Sequence, residues 1–136
     1  MEYSKSEIAR IQLERAIDLF FKEKDYISII TLAGASEEIT RKMLEQKKEV
    51  SSMEKVKEWM VENHPDSEIH ENFYKHANQT RNALKHYDNP NESSETIDED
   101  TAIYWICRAV MNYGRAHKSL TTPMNTYILW WKKHNS

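Results

Sequence analysis

The side chains best suited to chemistry lie in one short stretch of the sequence, at the predicted end of a helix. Arg81, Asn82, Lys85 and His86 occur there within six residues. An arginine can bind two oxygens of a phosphate at once, and a histidine side chain exchanges protons near neutral pH. Such a set could cleave a phosphodiester bond without a metal ion. Arg81 and Lys85 would stabilise the developing charge, and His86 would transfer the proton.

The spacing of these residues along a helix limits how they can act together. At about 100° per residue, Asn82 and His86 lie about 40° apart on one face, one turn from each other. Arg81 and His86 are about 140° apart around a straight helix. Both can therefore reach one phosphate only if the helix ends near His86, or if a second copy of the chain supplies one of the two side chains.

Other routes to catalysis find little support in the sequence. The chain has only 2 glycines, which excludes the glycine-rich loops that bind phosphates. It contains neither a Glu-x-x-His nor a His-Glu-x-x-His motif, so we expect no metal centre, and we expect no cofactor. The single cysteine, Cys107, lies within an apolar helical pattern, which predicts a buried and unreactive thiol.

The same totals lead us to expect a cytoplasmic protein that is not inserted into a membrane. One cysteine permits no intramolecular disulfide, which favours a reducing compartment. The N-terminus lacks the basic and then apolar pattern of a signal peptide, and no run of 18 apolar residues occurs.

Charge is distributed unevenly along the chain. Residues 1–100 carry all 22 acidic side chains and 14 Lys or Arg, a net charge of −8, whereas residues 101–136 carry five basic side chains and no acidic ones. A second acid-free stretch runs from Tyr74 to Tyr87. This asymmetry is typical of a surface that binds a polyanion, but it also arises when basic segments pack beside acidic helices. Charge alone favours the second interpretation.

The scarcity of glycine and proline also bears on the fold class. With 2 glycines and 3 prolines, the chain cannot form the frequent tight turns of an antiparallel sandwich or barrel. Apolar residues instead recur at helical spacing in five long segments and one short one. We therefore predict a single all-α domain over residues 1–136. It would be an up-and-down bundle of four to five helices with a short C-terminal helix.

Capping residues, prolines and polar segments set the limits of these helices. The first predicted helix begins at Ser4, the second spans about 25–47, and the third runs from Ser51 or Ser52 to His64. The fourth runs from Asp66 or Ser67 to about Tyr87, the fifth from Asp98 to about Gly114, and the short sixth helix follows Pro123. Their apolar faces predict a core that includes Ala9, Leu13, Ala16, Ile17 and Phe20 of the first helix and Ile103, Ile106, Val110 and Tyr113 of the fifth.

Three further features of the helices carry expectations. Gly34 interrupts the second helix, where it costs about 1 kcal/mol relative to alanine, so we expect another helix to approach closely there. Glu37 and Glu38 follow it and are expected on a charged face turned to solvent, with a polar role beside the Arg81 site as the weaker alternative. Trp130 and Trp131 are expected to seal the core or a dimer contact rather than to stack on bases.

The sequence Arg81-Asn82-Ala83-Leu84-Lys85-His86 resembles the signature of the HEPN superfamily. In that signature a polar residue, commonly asparagine, follows the arginine, and four to six residues separate the arginine from the histidine. The resemblance implies a small helical bundle that carries the motif on a late core helix. Many active members are metal-independent endoribonucleases whose dimers bring two motifs together in one cleft, which would resolve the 140° separation.

The resemblance also implies roles and partners. Arg81 would hold the scissile phosphate, His86 would act at the 2′-hydroxyl or the leaving oxygen to give a cyclic phosphate, and Asn82 would orient His86 or the substrate. Lys75, Asn78 and Lys85 are candidates for binding that substrate. The implied protein is a homodimer that cleaves RNA as a toxin or defence component, with a nucleotidyltransferase-type antitoxin as its partner.

A second hypothesis is a non-catalytic helical module, or partner subunit, that binds a protein or a nucleotide. In that case Arg81 pairs with a surface acid, while His86 and Tyr87 cap the helix. The net charge of −3 favours this alternative slightly, because non-specific RNA binding needs basic surface.

Overall fold

The protein is an α-helical bundle in its computed structural model, which describes residues 1–48, 67–86, 91 and 93–135, with side chains for all of these except 67–74. The described helices are α1 (Lys5–Lys22), α2 (Tyr26–Gln46), α3 (Ser67–Ala83), α4 (Glu99–His117) and α5 (Thr122–His134). No strand occurs within these ranges, and the predicted all-α fold is confirmed. The helix predicted from Ser51 or Ser52 to His64 lies outside the described residues.

Local sequence accounts for the limits of the helices. Ser4, Asp25 and Asp98 each accept a hydrogen bond from a backbone N–H in the first turn of α1, α2 and α4, which satisfies a donor that has no partner within the helix. The fifth predicted helix extends beyond Gly114 to His117. It ends there because Lys118 adopts the left-handed conformation (φ 60°) and donates its N–H back to the Gly114 carbonyl.

The core forms where α2 packs against both α1 and α4. α2 thus has neighbours on two sides, which suits a first half that is apolar almost all round. The predicted face of α1 is buried throughout, and Ile106, Val110 and Tyr113 of α4 are buried with it. Trp105, which is completely buried, donates from Nε1 to the Ala77 carbonyl of α3 over 3.2 Å, and thereby ties the site-bearing helix α3 to the core.

The C-terminal helix α5 closes one end of this core. Met124 and Tyr127 are completely buried, and the Tyr127 hydroxyl donates to the Ile103 carbonyl over 3.0 Å. The Trp130 ring packs edge-on against Phe20 with centroids 4.9 Å apart, and Trp131 also packs against the core. The predicted sealing role of the two tryptophans is confirmed.

None of the described helices combines the length and the apolar character that a membrane crossing requires.

Candidate functional site

Arg81 lies in the last turn of α3, and its side chain is held from several sides. Only 12% of that side chain is exposed. Its Nη2 donates to Glu38 Oε2 over 2.7 Å, a length typical of a charge-assisted hydrogen bond. Its guanidinium carbon lies 5.4 Å from the centroid of the Trp105 ring, within the range of a cation–π interaction. Arg81 therefore has a defined position before any ligand binds.

Gly34 provides the space in which the Arg81 side chain lies. A Cβ atom at Gly34 would come within 2.5 Å of Arg81 Nε and 2.9 Å of its Cδ, far inside van der Waals contact. The group that approaches Gly34 is the Arg81 side chain of α3, rather than the body of another helix as the sequence predicts. The glycine of α2 and the arginine of the motif thus form one structural unit.

The expectation that Glu37 faces solvent is wrong. Its side chain is only 1% exposed, and its Oε1 accepts hydrogen bonds from Arg108 Nε over 2.9 Å and from Asn112 Nδ2 over 3.1 Å. Burial of a carboxylate costs several kcal/mol unless a cation and donors compensate it, and α4 supplies both. Arg108 and Asn112 lie four positions apart within the apolar pattern of α4, and these two polar residues were the signal in the sequence that a buried acid lies opposite them.

Arg108 extends this buried network to a hydroxyl on its own helix and to a side chain of α3. Its Nη1 donates to the Tyr104 hydroxyl over 3.1 Å and to Asn78 Oδ1 over 3.4 Å. Burial raises the pKa of Tyr104, although the neighbouring Arg108 charge opposes that shift. Asn78, which the sequence predicts to bind substrate, is half-buried against Arg108. The network connects α2, α3 and α4 directly beneath the Arg81 site.

Glu38 lies at the edge of the bundle, where cations surround its carboxylate. Lys42 Nζ is 3.8 Å and Arg41 Nη2 is 4.0 Å from Glu38 Oε1, while Arg81 binds Oε2. The hydrogen bond from Arg81 is the main cause that lowers the pKa of Glu38; burial opposes it, and the charges of Arg81, Lys85 and Lys42 lower the pKa further. The surroundings of Glu38 therefore carry an excess of positive charge.

The end of α3 determines where the remaining motif residues lie. The helix ends at Ala83, and the chain then turns, with Lys85 N–H donating to the Asn82 carbonyl over 3.0 Å. The helix thus ends before His86, which meets one of the two conditions under which Arg81 and His86 can act on one phosphate. Asn82, Lys85 and His86 are exposed, and so is Lys75, about two turns before Asn82.

An open pocket of about 490 Å³ adjoins the Arg81–Glu38 pair. It lies between the first residue of α1, one face of α2 and the turn after α3. Its lining residues are Lys5, Ala35, Glu38, Ile39, Lys42, Met43, Gln46 and Lys85. Three of these described residues are lysines and one is an acid, so that this part of the lining carries a net positive charge.

Two other kinds of chemistry find no support in the described part of the chain. Among its residues no group of three or more His, Cys, Asp or Glu side chains could hold a metal ion. Burial raises the pKa of Cys107 to about 12, although a hydrogen bond with Tyr127 opposes the shift. The thiol therefore stays protonated at neutral pH, which agrees with the predicted unreactive cysteine.

Comparison with known proteins assigns the chain to a family. The sequence model of the Apea-like HEPN family matches residues 5–113. The chain belongs to the HEPN superfamily. The matched part of this HEPN chain contains α1 to α3 and most of α4, and with them Arg81, Asn82 and His86, whereas α5 lies outside it. No curated protein and no solved structure gives a significant match.

Proposed function

We propose that this HEPN protein is a metal-independent endoribonuclease of toxin or defence type, and that it acts as a homodimer with a composite site of Arg81, Asn82 and His86. The observation that carries the proposal is the environment of Arg81. Gly34, Trp105 and Glu38 hold its guanidinium at the end of α3, and His86 is exposed three residues after that end. Enzymes gain rate from charged groups that are positioned before the substrate arrives.

In this proposal the scissile phosphate competes with Glu38 for Arg81. Two oxygens of a phosphate group can accept charge-assisted hydrogen bonds from the guanidinium, in the same bidentate geometry as a carboxylate. His86 takes the 2′-hydroxyl proton or gives one to the leaving oxygen, and Asn82 orients it. Lys75 and Lys85, both exposed, attract the RNA backbone, and Asn78 acts from the network behind Arg81.

The homodimer rests on the exposure of the motif. Asn82 and His86 protrude from the bundle edge, where a second copy can approach them and add its own arginine and histidine. A nucleotidyltransferase-type antitoxin is the partner that the superfamily resemblance implies for such a toxin.

The decisive experiment compares RNA cleavage by the wild-type protein and by His86→Ala, in the presence of EDTA. We expect the wild type to cleave single-stranded RNA and leave a cyclic phosphate, and His86→Ala to be slower by about 100- to 10,000-fold, the usual contribution of a general acid or base. His134→Ala is the matched control, because His134 is exposed on α5, outside the family match. Equal rates for His86→Ala and the wild type would refute the proposed site.

A mixing experiment tests the composite site. Arg81→Ala and His86→Ala proteins are each expected to cleave RNA much more slowly than the wild type, and a mixture that exchanges subunits is expected to regain activity. A heterodimer has one site that takes Arg81 from one chain and His86 from the other. Mixtures without recovered activity would contradict the composite site.

A non-catalytic binding module is the second candidate, and one observation favours it. Arg81 is already neutralised by Glu38 at 2.7 Å, as in a purely structural ion pair. In that case the wild-type protein cleaves no RNA, and Arg81→Ala changes the free energy of unfolding without affecting any catalysed reaction.

A further inference from the structure

The pocket beside Arg81 is lined by basic residues from outside the motif. Lys5 comes from the first turn of α1 and Lys42 from α2, and only Lys85 belongs to the motif segment. We call this the lysine pocket, defined by Lys5, Lys42, Lys85 and Glu38 around the apolar side chains of Ala35 and Ile39. Basic residues from three parts of the chain thus line one opening.

The charges in the lysine pocket do not cancel. Glu38 is the only acid among the described residues that line it, and Arg81 already binds that carboxylate at 2.7 Å, with Lys42 Nζ 3.8 Å away. Three lysines and Arg81 therefore share one negative charge. Like charges gathered at one opening repel one another, and an anion that enters it relieves the repulsion. The chemistry that suits the pocket is that of a phosphate group.

The volume and the apolar lining of the lysine pocket suit a ligand larger than an isolated anion. Its volume of about 490 Å³ falls within the range of sites for small organic ligands, about 300–1,000 Å³. Ala35, Ile39 and Met43 add apolar surface to the lining, against which a ribose or base can pack. A nucleotide unit offers both of these chemistries at once.

We propose that the lysine pocket binds the nucleotide next to the scissile phosphate of a single-stranded RNA, with Lys5 and Lys42 as phosphate-binding residues. The choice of RNA rests on the proposed function. Glu38 connects the two sites, because it lines the pocket and also binds Arg81. A strand whose scissile phosphate lies on Arg81 therefore reaches the lysine pocket with its neighbouring phosphate.

The test measures the binding of a short, fluorescein-labelled 2′-O-methyl RNA by anisotropy, since this probe lacks the 2′-hydroxyl needed for cleavage. Each phosphate contact contributes about 0.7 to the slope of log K against log salt for a single strand. Lys5→Ala and Lys42→Ala are each expected to reduce the slope by about 0.7 and to weaken binding about fivefold at 0.1 M salt. Lys132→Ala, an exposed lysine of α5 away from the pocket, is expected to bind as the wild type does.

The outcomes separate this inference from the proposed function. Unchanged affinity and slope in both Lys5→Ala and Lys42→Ala overturn the pocket assignment, even if His86→Ala has shown the protein to be a ribonuclease. Weaker binding and smaller slopes support it, even if the wild-type protein cleaves no RNA. Glu38→Gln removes the acid that lines the described part of the pocket, and it is expected to bind the same probe more tightly than the wild type.

Discussion

Glu37 and Glu38 are neighbours on α2, and each binds an arginine from another helix, yet their environments differ. Glu37 is 1% exposed and binds Arg108 of α4, whereas Glu38 is 38% exposed and binds Arg81 of α3. One step along a helix turns the side chain by about 100°, which here moves the carboxylate from the interior to the edge of the bundle. Two glutamate–arginine ion pairs thus lie in different environments, one in the protein interior and one at its solvated edge.

The difference shows which pair can exchange its partner. Opening the Glu37–Arg108 pair would leave both charges in the interior, so that this pair belongs to the structure. In the Glu38–Arg81 pair the carboxylate is 38% exposed and lies beside Lys42, whereas Arg81 is only 12% exposed and stays in place, so a phosphate can take the carboxylate's place. Trp105 joins the two regions, with Arg108 and Arg81 at 4.9 and 5.4 Å from its ring centroid.

Among the two ion pairs, the buried Glu37–Arg108 pair is expected to contribute most to the free energy of unfolding. Glu37→Gln removes the charge that compensates Arg108 and is expected to lower the free energy of unfolding by about 3–5 kcal/mol, the usual cost of breaking a buried ion pair. Urea denaturation at neutral pH measures it, with Glu38→Gln as the matched variant one position away. A loss no larger than that of Glu38→Gln would break the distinction between the two pairs.

Substitutions at Gly34 and Arg81 are expected to have coupled effects of intermediate size on the free energy of unfolding. Gly34→Ala brings a Cβ within 2.5 Å of Arg81 Nε, so the clash offsets the gain of about 1 kcal/mol that alanine brings to a helix interior. In an Arg81→Ala background the clash is absent, and Gly34→Ala is expected to stabilise by that amount. A double-mutant cycle in urea gives the coupling. Equal stabilisation in both backgrounds would show that Gly34 does not serve to seat Arg81.

The smallest effect is expected at the edge. Glu38→Gln should cost about 1 kcal/mol at neutral pH, because solvent screens a carboxylate that is 38% exposed and Arg81 keeps its contact with Trp105. The pKa of Glu38 is lowered in the folded protein, so its contribution is present above the ordinary value of 4.5 and is lost as the pH falls through the folded value.

Urea titrations between about pH 7 and pH 3 measure this dependence. The difference in stability between the wild type and Glu38→Gln is expected to shrink as the pH falls. A difference that stays constant over that range would show that Glu38 gains nothing from its cations.

Local patterns predict much of this protein and fail at identifiable places. The apolar spacing of Ala9, Leu13 and Phe20 predicts the buried face of α1, because helical periodicity is a local property. Gly34 predicts a close approach but not its partner. The prediction for Glu37 is wrong, since two adjacent glutamates are typical of a solvated face. The arginine that binds Glu37 lies 71 residues further along the chain, and the one that binds Glu38 lies 43 residues further.

Backbone preferences and order along the chain account for the helical class, the caps at Ser4, Asp25 and Asp98, and the arginine–histidine spacing that resembles the HEPN signature. These features can be recognised before any helix is packed. Three others emerge from the packing of the helices: Glu37 is interior, Arg81 lies over Gly34 against Glu38, and Lys5 and Lys42 line one pocket. Burial and charge pairing depend on which helices meet, and neighbours in sequence do not reveal that.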